Sequence, residues 1–139
     1  IVRQIGAYPI CALDENGYAC LNTVFMIVPK SETNIELKFV LAVLNSKFIA
    51  DYWTENFSDL RQTFPKIKGS YLEKLPIPEI GKNQQNQHNE VVKQTNQLLN
   101  LIEELQNATL PNRIELLKNR IDYTETKINE LIYELYGVN

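Results

Sequence analysis

At 139 residues, the chain is long enough for one domain with a hydrophobic core, or for a small globular unit with an extended appendage. Its 44% apolar and 22% charged side chains are ordinary for a globular protein, which excludes wholesale disorder. No apolar run reaches the roughly 18 residues of a membrane-spanning helix, and the first residues lack the features of a signal peptide. We therefore predict a cytoplasmic protein. Because the sequence opens at Ile1, without Met and in a strand-like run, we expect a fragment of a longer polypeptide.

The net charge of −3 argues at first against a nucleic-acid partner, because binding to a polyanion relies on Lys and Arg. The distribution of charge changes that conclusion. Residues 1–82 hold nine basic and nine acidic side chains, whereas residues 83–139 hold five and eight, so the second part supplies the whole deficit. Within the first part, residues 61–74 contain four basic side chains and one acidic side chain.

Short β-prone runs separated by turn signals open the chain. Ile10–Leu13 and Tyr18–Leu21 are predicted to form a hairpin whose turn contains Asn16 and Gly17. Thr23–Val28 is apolar without alternation, which predicts a central strand covered on both faces. Together these runs predict a small mixed sheet.

The two cysteines lie on either side of that predicted turn. Cys11 and Cys20 are one pair without a second pair, and His88 is far away in the sequence, so the pattern does not match a metal site. We expect both cysteines to be buried, reduced thiols.

A buried helix is predicted to follow the strands, from Ile35 to about Asn56. Ser70 and Glu73 have the spacing of a capping box, which predicts a short helical turn. Leu75–Pro78 must then be extended, because each proline disfavours the helical region for the residue before it. The apolar stripe of the buried helix consists of Leu37, Leu41, Leu44, Phe48 and Tyr52, widened by Val40, Val43, Ile49 and Trp53.

A polar run rich in Asn and Gln, Gly81–Asn89, is interpreted as the boundary between two parts. Beyond it, apolar residues recur at alternating spacings of four and three, which is typical of a helix that packs on another helix. Asn107–Asn112 interrupts this pattern and predicts a turn. The two seams are Val91, Thr95, Leu98, Ile102 and Leu105, and then Ile114, Leu117, Ile121, Thr124, Ile128, Leu131 and Leu135.

The predicted fold class is therefore α+β. A small mixed sheet with a buried helix is expected over residues 1–82, followed by a long antiparallel α-helical hairpin over residues 83–139. In functional terms, we expect a globular recognition domain and a spacer or docking arm.

Residue patterns typical of catalysis are scarce. The five glycines are scattered singly, so no phosphate-binding or dinucleotide-binding loop is predicted. Glu36 and Lys38, with Asp14 upstream, have a spacing used by some metal-dependent nucleases, which leaves a metal nuclease as one alternative. His88 has no nucleophile at a telling spacing. We predict no catalytic, cofactor-binding or metal-binding residue.

One basic segment, residues 61–71, combines side chains that can bind DNA. Arg and Gln can form paired hydrogen bonds with guanine and adenine edges, whereas Lys and Ser suit phosphates. A solvated loop remains the alternative interpretation. Tyr52 and Trp53 are expected in the core rather than as stacking platforms for bases. The predicted DNA-facing residues are Arg61, Gln62, Thr63, Lys66, Lys68 and Ser70.

Several motifs in this order resemble the TaqI-like C-terminal specificity domain of type IIG restriction-modification enzymes and, more distantly, the specificity subunits of type I systems. They are the "LNS" helix Leu41–Phe48, the stretch Ile67–Leu72, the Leu-Pro-Ile-Pro element that ends Leu72–Pro78, and Ile128–Gly137. The resemblance implies recognition of a sequence in double-stranded DNA by a module without catalytic chemistry of its own.

The resemblance also implies a parent protein. It would be an adenine-specific DNA methyltransferase, often fused to an endonuclease, that uses S-adenosylmethionine upstream of this chain. Such an enzyme flips its base out of the duplex, and a separate module holds the flanking bases. The helical part would dock on the methyltransferase domain or subunit, or on a second protomer. The rival hypothesis is a helical-hairpin protein-interaction module that does not bind DNA.

Overall fold

The computed structural model describes residues 1–19, 23–31, 33–57 and 65–138. The chain divides into two compact units, residues 1–78 and residues 79–139. The described residues are mostly helical and contain a small two-stranded antiparallel sheet, which is consistent with the predicted α+β class.

The first unit contains two short strands and three helices among its described residues. The strands pair in an antiparallel register that sets Val2 opposite Phe25 and Arg3 opposite Val24. The elements are β1 Val2–Arg3, β2 Val24–Phe25, α1 Leu37–Leu44, α2 Lys47–Phe57 and α3 Gly69–Leu72.

The N-terminal segment, residues 1–6, pairs with three other segments of this unit. Besides the β1–β2 pairing, Val2 forms an isolated antiparallel bridge with Cys11, and Ile5 forms one with Lys66. All of these pairings are antiparallel, so the prediction of a mixed sheet is wrong for the described residues. Each described segment that pairs with residues 1–6 runs in the opposite direction to them. The N-terminal segment therefore has no parallel partner among the described residues.

The turn around Gly17 forms, but Tyr18 and Ala19, the described part of the predicted second strand, are not in a strand. Gly17 has a φ of +72°, in the left-handed region that glycine tolerates. The carboxylate of Asp14 accepts hydrogen bonds from the backbone N–H groups of Asn16, Gly17 and Tyr18. Tyr18 is outside any strand, and Cys11 forms its antiparallel bridge with Val2. Residues 20 and 21 of the predicted second strand lie outside the described residues.

The predicted central strand Thr23–Val28 is reduced to the two residues of β2. The prediction that both faces are covered is wrong, since Met26 is 61% exposed and Val28 is 74% exposed. A continuous apolar run was interpreted as a buried strand, but no element of the described chain covers it.

The helix predicted from Ile35 to Asn56 is two helices, α1 and α2, with a break at Asn45 and Ser46. The hydroxyl of Ser46 donates to the carbonyl of Val43 and accepts a hydrogen bond from the N–H of Ile49. This hydroxyl therefore satisfies backbone groups on both sides of the break, as capping side chains do at helix ends.

These two helices supply most of the core of the first unit. Phe39, Val43, Ile49 and Trp53 are at most 1% exposed. Three of these four residues, Val43, Ile49 and Trp53, are ones that the sequence predicts only to widen the apolar stripe, and Phe39 lies outside the predicted stripe altogether. The half-buried members of the predicted stripe are Leu37, Leu41, Phe48 and Tyr52.

Helix α3 begins one residue before the predicted helical turn. Its N-terminal flanking residue is Lys68, and no side chain caps it. The predicted capping box is wrong because Ser70 lies inside the helix, where its hydroxyl cannot take the capping position. Leu75–Pro78 is neither helix nor strand, in agreement with the constraint that its two prolines impose.

The second unit contains a 3-10 turn, Lys82–Gln84, and two long helices, α4 Gln85–Asn107 and α5 Pro111–Leu135. The polar residues 85–89, interpreted as a boundary, are helical. Pro111 occupies the first turn of α5, where its missing N–H is not needed.

The two long helices pack against each other. Leu101 of α4 forms a buried cluster with Leu117 and Ile121 of α5. The seam predicted on α5 is largely confirmed. On α4 the predicted seam residues Val91 and Thr95 are buried, but Ile102 is 36% exposed and its neighbour Leu101 is buried instead. Partly buried Leu98, Leu105 and Ala108 border the cluster. Across the described residues, none of the helices combines the length and the apolar composition needed to cross a membrane.

Candidate nucleic-acid interface

Half of the predicted DNA-facing residues can be located. Lys66, Lys68 and Ser70 are all exposed. The other three, Arg61, Gln62 and Thr63, lie outside the described residues. They belong to a segment that follows Phe57, the last residue of α2, and precedes Pro65.

The backbone around Lys66 is held by the N-terminal segment. The N–H of Gly6 donates to the carbonyl of Pro65 over 2.8 Å, and the N–H of Ile67 donates to the carbonyl of Gln4 over 2.7 Å. Ile67 is 3% exposed, and side chains alternate along an extended chain, so its burial directs Lys66 towards solvent.

Lys68 lies where this extended segment becomes helix α3. Its carbonyl accepts hydrogen bonds from the N–H groups of Tyr71 and Leu72, over 3.1 and 3.2 Å. Ser70 is in the first turn of α3. The extended segment and α3 thus fix the backbones of all three located residues and leave their side chains exposed.

Next to Lys68 is a cluster of aromatic rings from α2 and α3. The rings of Phe57 and Tyr71 are stacked, with centroids 4.8 Å apart and planes 14° apart. The ring of Trp53 meets both of them edge-on, at 5.4 Å from Phe57 and 6.1 Å from Tyr71. Trp53 is 1% exposed, as predicted for a core residue.

Two ammonium groups lie over the ring of Tyr71. The Nζ of Lys68 is 5.4 Å from the ring centroid, and the Nζ of Lys74 is 5.9 Å from it. These distances are within the range of cation–π attraction. Lys74 is one of the four basic residues of the range 61–74, but it was not among the predicted DNA-facing residues. Its closeness to Lys68 could have been suspected from the four-residue helix between them.

The two carboxylate residues of the alternative nuclease site have structural roles. Asp14 accepts the three backbone hydrogen bonds that shape the turn at Gly17. Glu36 flanks the start of α1, and its carbonyl accepts from the N–H groups of Phe39 and Val40. Within the described ranges, no three or more His, Cys, Asp or Glu side chains are grouped so that they could hold a metal ion.

Cys11 is a half-buried free thiol. Burial raises its pKa to about 11, against the opposing effect of the positive N-terminus. A thiol with such a pKa is protonated at neutral pH and is a poor nucleophile or metal ligand. The predicted second thiol, Cys20, lies outside the described residues.

Comparison with protein families gives one assignment. A family model, the TaqI-like C-terminal specificity domain, matches residues 1–77, which is more than half of the chain. The chain belongs to this family, which is a specificity domain and not a catalytic one. The match ends one residue before Pro78, the last residue of the first compact unit. The Ile128–Gly137 motif lies outside the matched residues. No curated protein and no solved structure matches the chain.

Proposed function

We propose that the chain recognises a short sequence in double-stranded DNA, as the specificity domain of a restriction-modification enzyme. The observation that carries this proposal is the family match over residues 1–77. The exposed lysines Lys66 and Lys68 support it, because they lie on the same unit and supply the positive charge that phosphates require.

In this proposal the interface residues have two roles. Lys66, Lys68 and Ser70 contact the phosphate backbone, which holds the module in register on the duplex. Arg61, Gln62 and Thr63 contact base edges, where Arg can pair with guanine and Gln with adenine. The stack of Phe57 on Tyr71 and the pairing of Lys66 with Ile5 hold the chain on both sides of the base-reading residues.

The parent protein is proposed to be an adenine-specific DNA methyltransferase, with or without a fused endonuclease. S-adenosylmethionine then binds in the catalytic domain, and this chain supplies sequence choice. A base-flipping enzyme needs such a module, because the flipped nucleotide leaves the duplex while the flanking bases must stay in register.

The second unit is proposed to be an antiparallel helical hairpin that docks on the methyltransferase domain or subunit. The ion pair of Glu104 with Arg113 joins residues on either side of the link between α4 and α5, as expected for antiparallel helices. On α5, Leu116 and Tyr123 are 49% and 70% exposed and lie seven residues apart, on one face that a partner helix can cover. A second copy of the chain is the alternative partner.

DNA binding by the 139-residue chain tests the main proposal. Incubation with a pool of random duplexes, followed by sequencing of the bound fraction, should enrich one short word. The logarithm of the binding constant should fall linearly with the logarithm of the salt concentration. An unenriched pool, together with salt-independent binding of a partner protein, would support the rival helical interaction module instead.

Two sets of variants test the assigned roles. Lys66→Ala should weaken binding to all duplexes alike and lower the salt slope by about one, whereas Arg61→Ala should cost about 1–3 kcal/mol and relax preference at one base pair. Lys118→Ala, which removes an exposed lysine of the second unit, is the matched control and should change neither quantity.

Calorimetry with S-adenosylmethionine should detect no binding to this chain, and micromolar binding would contradict the assignment of the cofactor to the catalytic domain.

A further inference from the structure

Lys68, Tyr71 and Lys74 form a cluster in which two cations share one aromatic ring. Both ammonium groups lie within 6 Å of the ring centroid, at 5.4 and 5.9 Å. Like charges repel each other, and the attraction of each ammonium group to the ring offsets part of that repulsion.

The ring itself is fixed by α2. Phe57 stacks on Tyr71, and the buried Trp53 meets its edge. Such aromatic contacts stabilise a defined geometry beyond the area that they bury. The position of the Tyr71 ring is therefore set by α2 and not by the lysines. The ring in turn attracts the ammonium groups of Lys68 and Lys74 and so positions them.

Backbone hydrogen bonds fix the two ends of the same cluster. The N–H of Tyr71 donates to the carbonyl of Lys68 over 3.1 Å, and the N–H of Lys74 donates to the carbonyl of Tyr71 over 3.1 Å. The two lysines thus flank α3 on either side of Tyr71. Each is an exposed residue with a fixed backbone and a directed side chain.

The cluster has an excess of positive charge. In the described part of the chain, the ammonium groups of Lys68 and Lys74 form no ion pair with a carboxylate. A chain of phosphates satisfies such a pair of cations, because duplex DNA carries about one negative charge per 1.7 Å of its axis. A single small anion has no comparable advantage at two exposed lysines.

We propose that Lys68 and Lys74 form a clamp on the phosphate backbone of duplex DNA, with Tyr71 as the positioning residue that directs both ammonium groups. This inference rests on the proposed function and extends the interface to Lys74 and Tyr71. The clamp contributes affinity and register but no choice of sequence, since phosphates are the same at every base pair.

The first test measures the salt slope of DNA binding for the whole 139-residue chain. Lys68→Ala and Lys74→Ala should each lower the slope by about one, and the double variant by about two. The enriched DNA word should stay the same in all three. Lys118→Ala serves as the matched control for loss of one exposed lysine outside the clamp.

The second test isolates the ring. Tyr71→Phe keeps the aromatic face and should bind DNA as tightly as the unsubstituted chain. Tyr71→Leu keeps both lysines but removes the ring, and should weaken binding at fixed salt by about 2- to 5-fold for each lysine released, since cation–π attraction is modest at exposed sites. Far-ultraviolet circular dichroism verifies that each variant is folded, because Trp53 contacts Tyr71 and its fluorescence would change with the ring itself.

The outcomes separate this inference from the proposed function. If the unsubstituted chain binds DNA but Lys74→Ala leaves the salt slope unchanged, the clamp is wrong and the proposed function stands. Absence of DNA binding even at low salt contradicts the proposed function itself. Inorganic phosphate, tested alone at the same phosphate concentration, should neither bind measurably nor displace the duplex; tight binding would assign the cluster to a small anion and overturn the clamp.

Discussion

The side-chain amide of Asn45 makes two hydrogen bonds with the backbone of Cys11. The N–H of Cys11 donates to Oδ1 over 2.7 Å, and Nδ2 donates to the carbonyl of Cys11 over 2.9 Å. Asn45 thus acts as an extra peptide group that joins the break between α1 and α2 to the residue paired with Val2.

Substitution of Asn45 should destabilise the first unit. Asn45→Ala removes two hydrogen bonds of about 0.5–1.5 kcal/mol each, so we expect the free energy of unfolding to fall by about 1–3 kcal/mol. Asn45→Asp should cost more, because a carboxylate oxygen would face the carbonyl of Cys11, where no donor is left. Urea denaturation followed by Trp53 fluorescence measures both. Asn34→Asp, at an exposed position of the same unit, should stay within about 0.5 kcal/mol; an equal loss there would contradict the specific role of Asn45.

Cys11 should react slowly with alkylating reagents. With its pKa raised from 9.0 to about 11 by burial, the thiolate fraction at pH 8 falls by on the order of 100-fold, and the rate falls with it. The measurement uses Cys20→Ser, which leaves one thiol, and compares the native chain with the chain in urea. Similar rates in both states would contradict the prediction.

The same shift fixes a pH dependence of stability. Because the folded pKa of Cys11 lies above 9.0, the folded chain retains a proton that the unfolded chain releases, and stability is lost as pH rises from 9.0 to about 11. Cys11→Ser should reduce the slope of stability against pH in this window. An unchanged slope would place the titrating group elsewhere.

Glycine is required at position 17 for its backbone conformation and not for space. No atom lies within 4 Å of a Cβ built at Gly17 or at Gly81, but only Gly17 of these two has a positive φ. Gly17→Ala should therefore cost about 1–2 kcal/mol. Gly81→Ala should be neutral or stabilising by up to about 1 kcal/mol, because it restricts the unfolded chain. Thermal unfolding of both variants checks this pair, and equal effects would show that φ is not the cause.

Leu117 should dominate the stability of the helical unit. It is 0% exposed in the cluster with Leu101, so Leu117→Ala should cost about 2–5 kcal/mol through lost burial and a cavity. Its neighbour Leu116 is 49% exposed, and Leu116→Ala should cost less than about 0.5 kcal/mol. Far-ultraviolet circular dichroism during denaturation records both; comparable losses would contradict the assigned packing.

Periodicity predicted the long helices because their contacts are nearly local. Leu117 and Ile121 appeared in the predicted seam, whereas the turn predicted over Asn107–Asn112 is shorter, because α4 includes Asn107 and α5 begins at Pro111. Ile102 was predicted to be buried in place of Leu101 because both residues are apolar and adjacent, and either fits a spacing of three or four from Leu98. Only the packed partner helix decides which of them is buried.

The first unit was harder to predict because its structure depends on contacts between distant residues. Asn45, at the break after Leu44, bonds to Cys11, 34 residues away, while the apolar residues on both sides of the break share one helical pattern. Likewise, composition predicted a basic interface, and the short helix between Lys68 and Lys74 is a local feature. The approach of both lysines to one ring could not be predicted, because the ring of Tyr71 is held by its stacking on α2.

The exposed apolar run that follows β2 has a consequence for handling the purified chain. Met26 and Val28 continue the line of a strand into solvent, and such a strand is a template for edge-to-edge self-association at high concentration. The thioether of Met26 is also open to oxidants, which would convert it to a polar sulfoxide. Val28→Lys would place a charge on this edge and so oppose self-association, as charged residues that flank hydrophobic strands do in natural proteins.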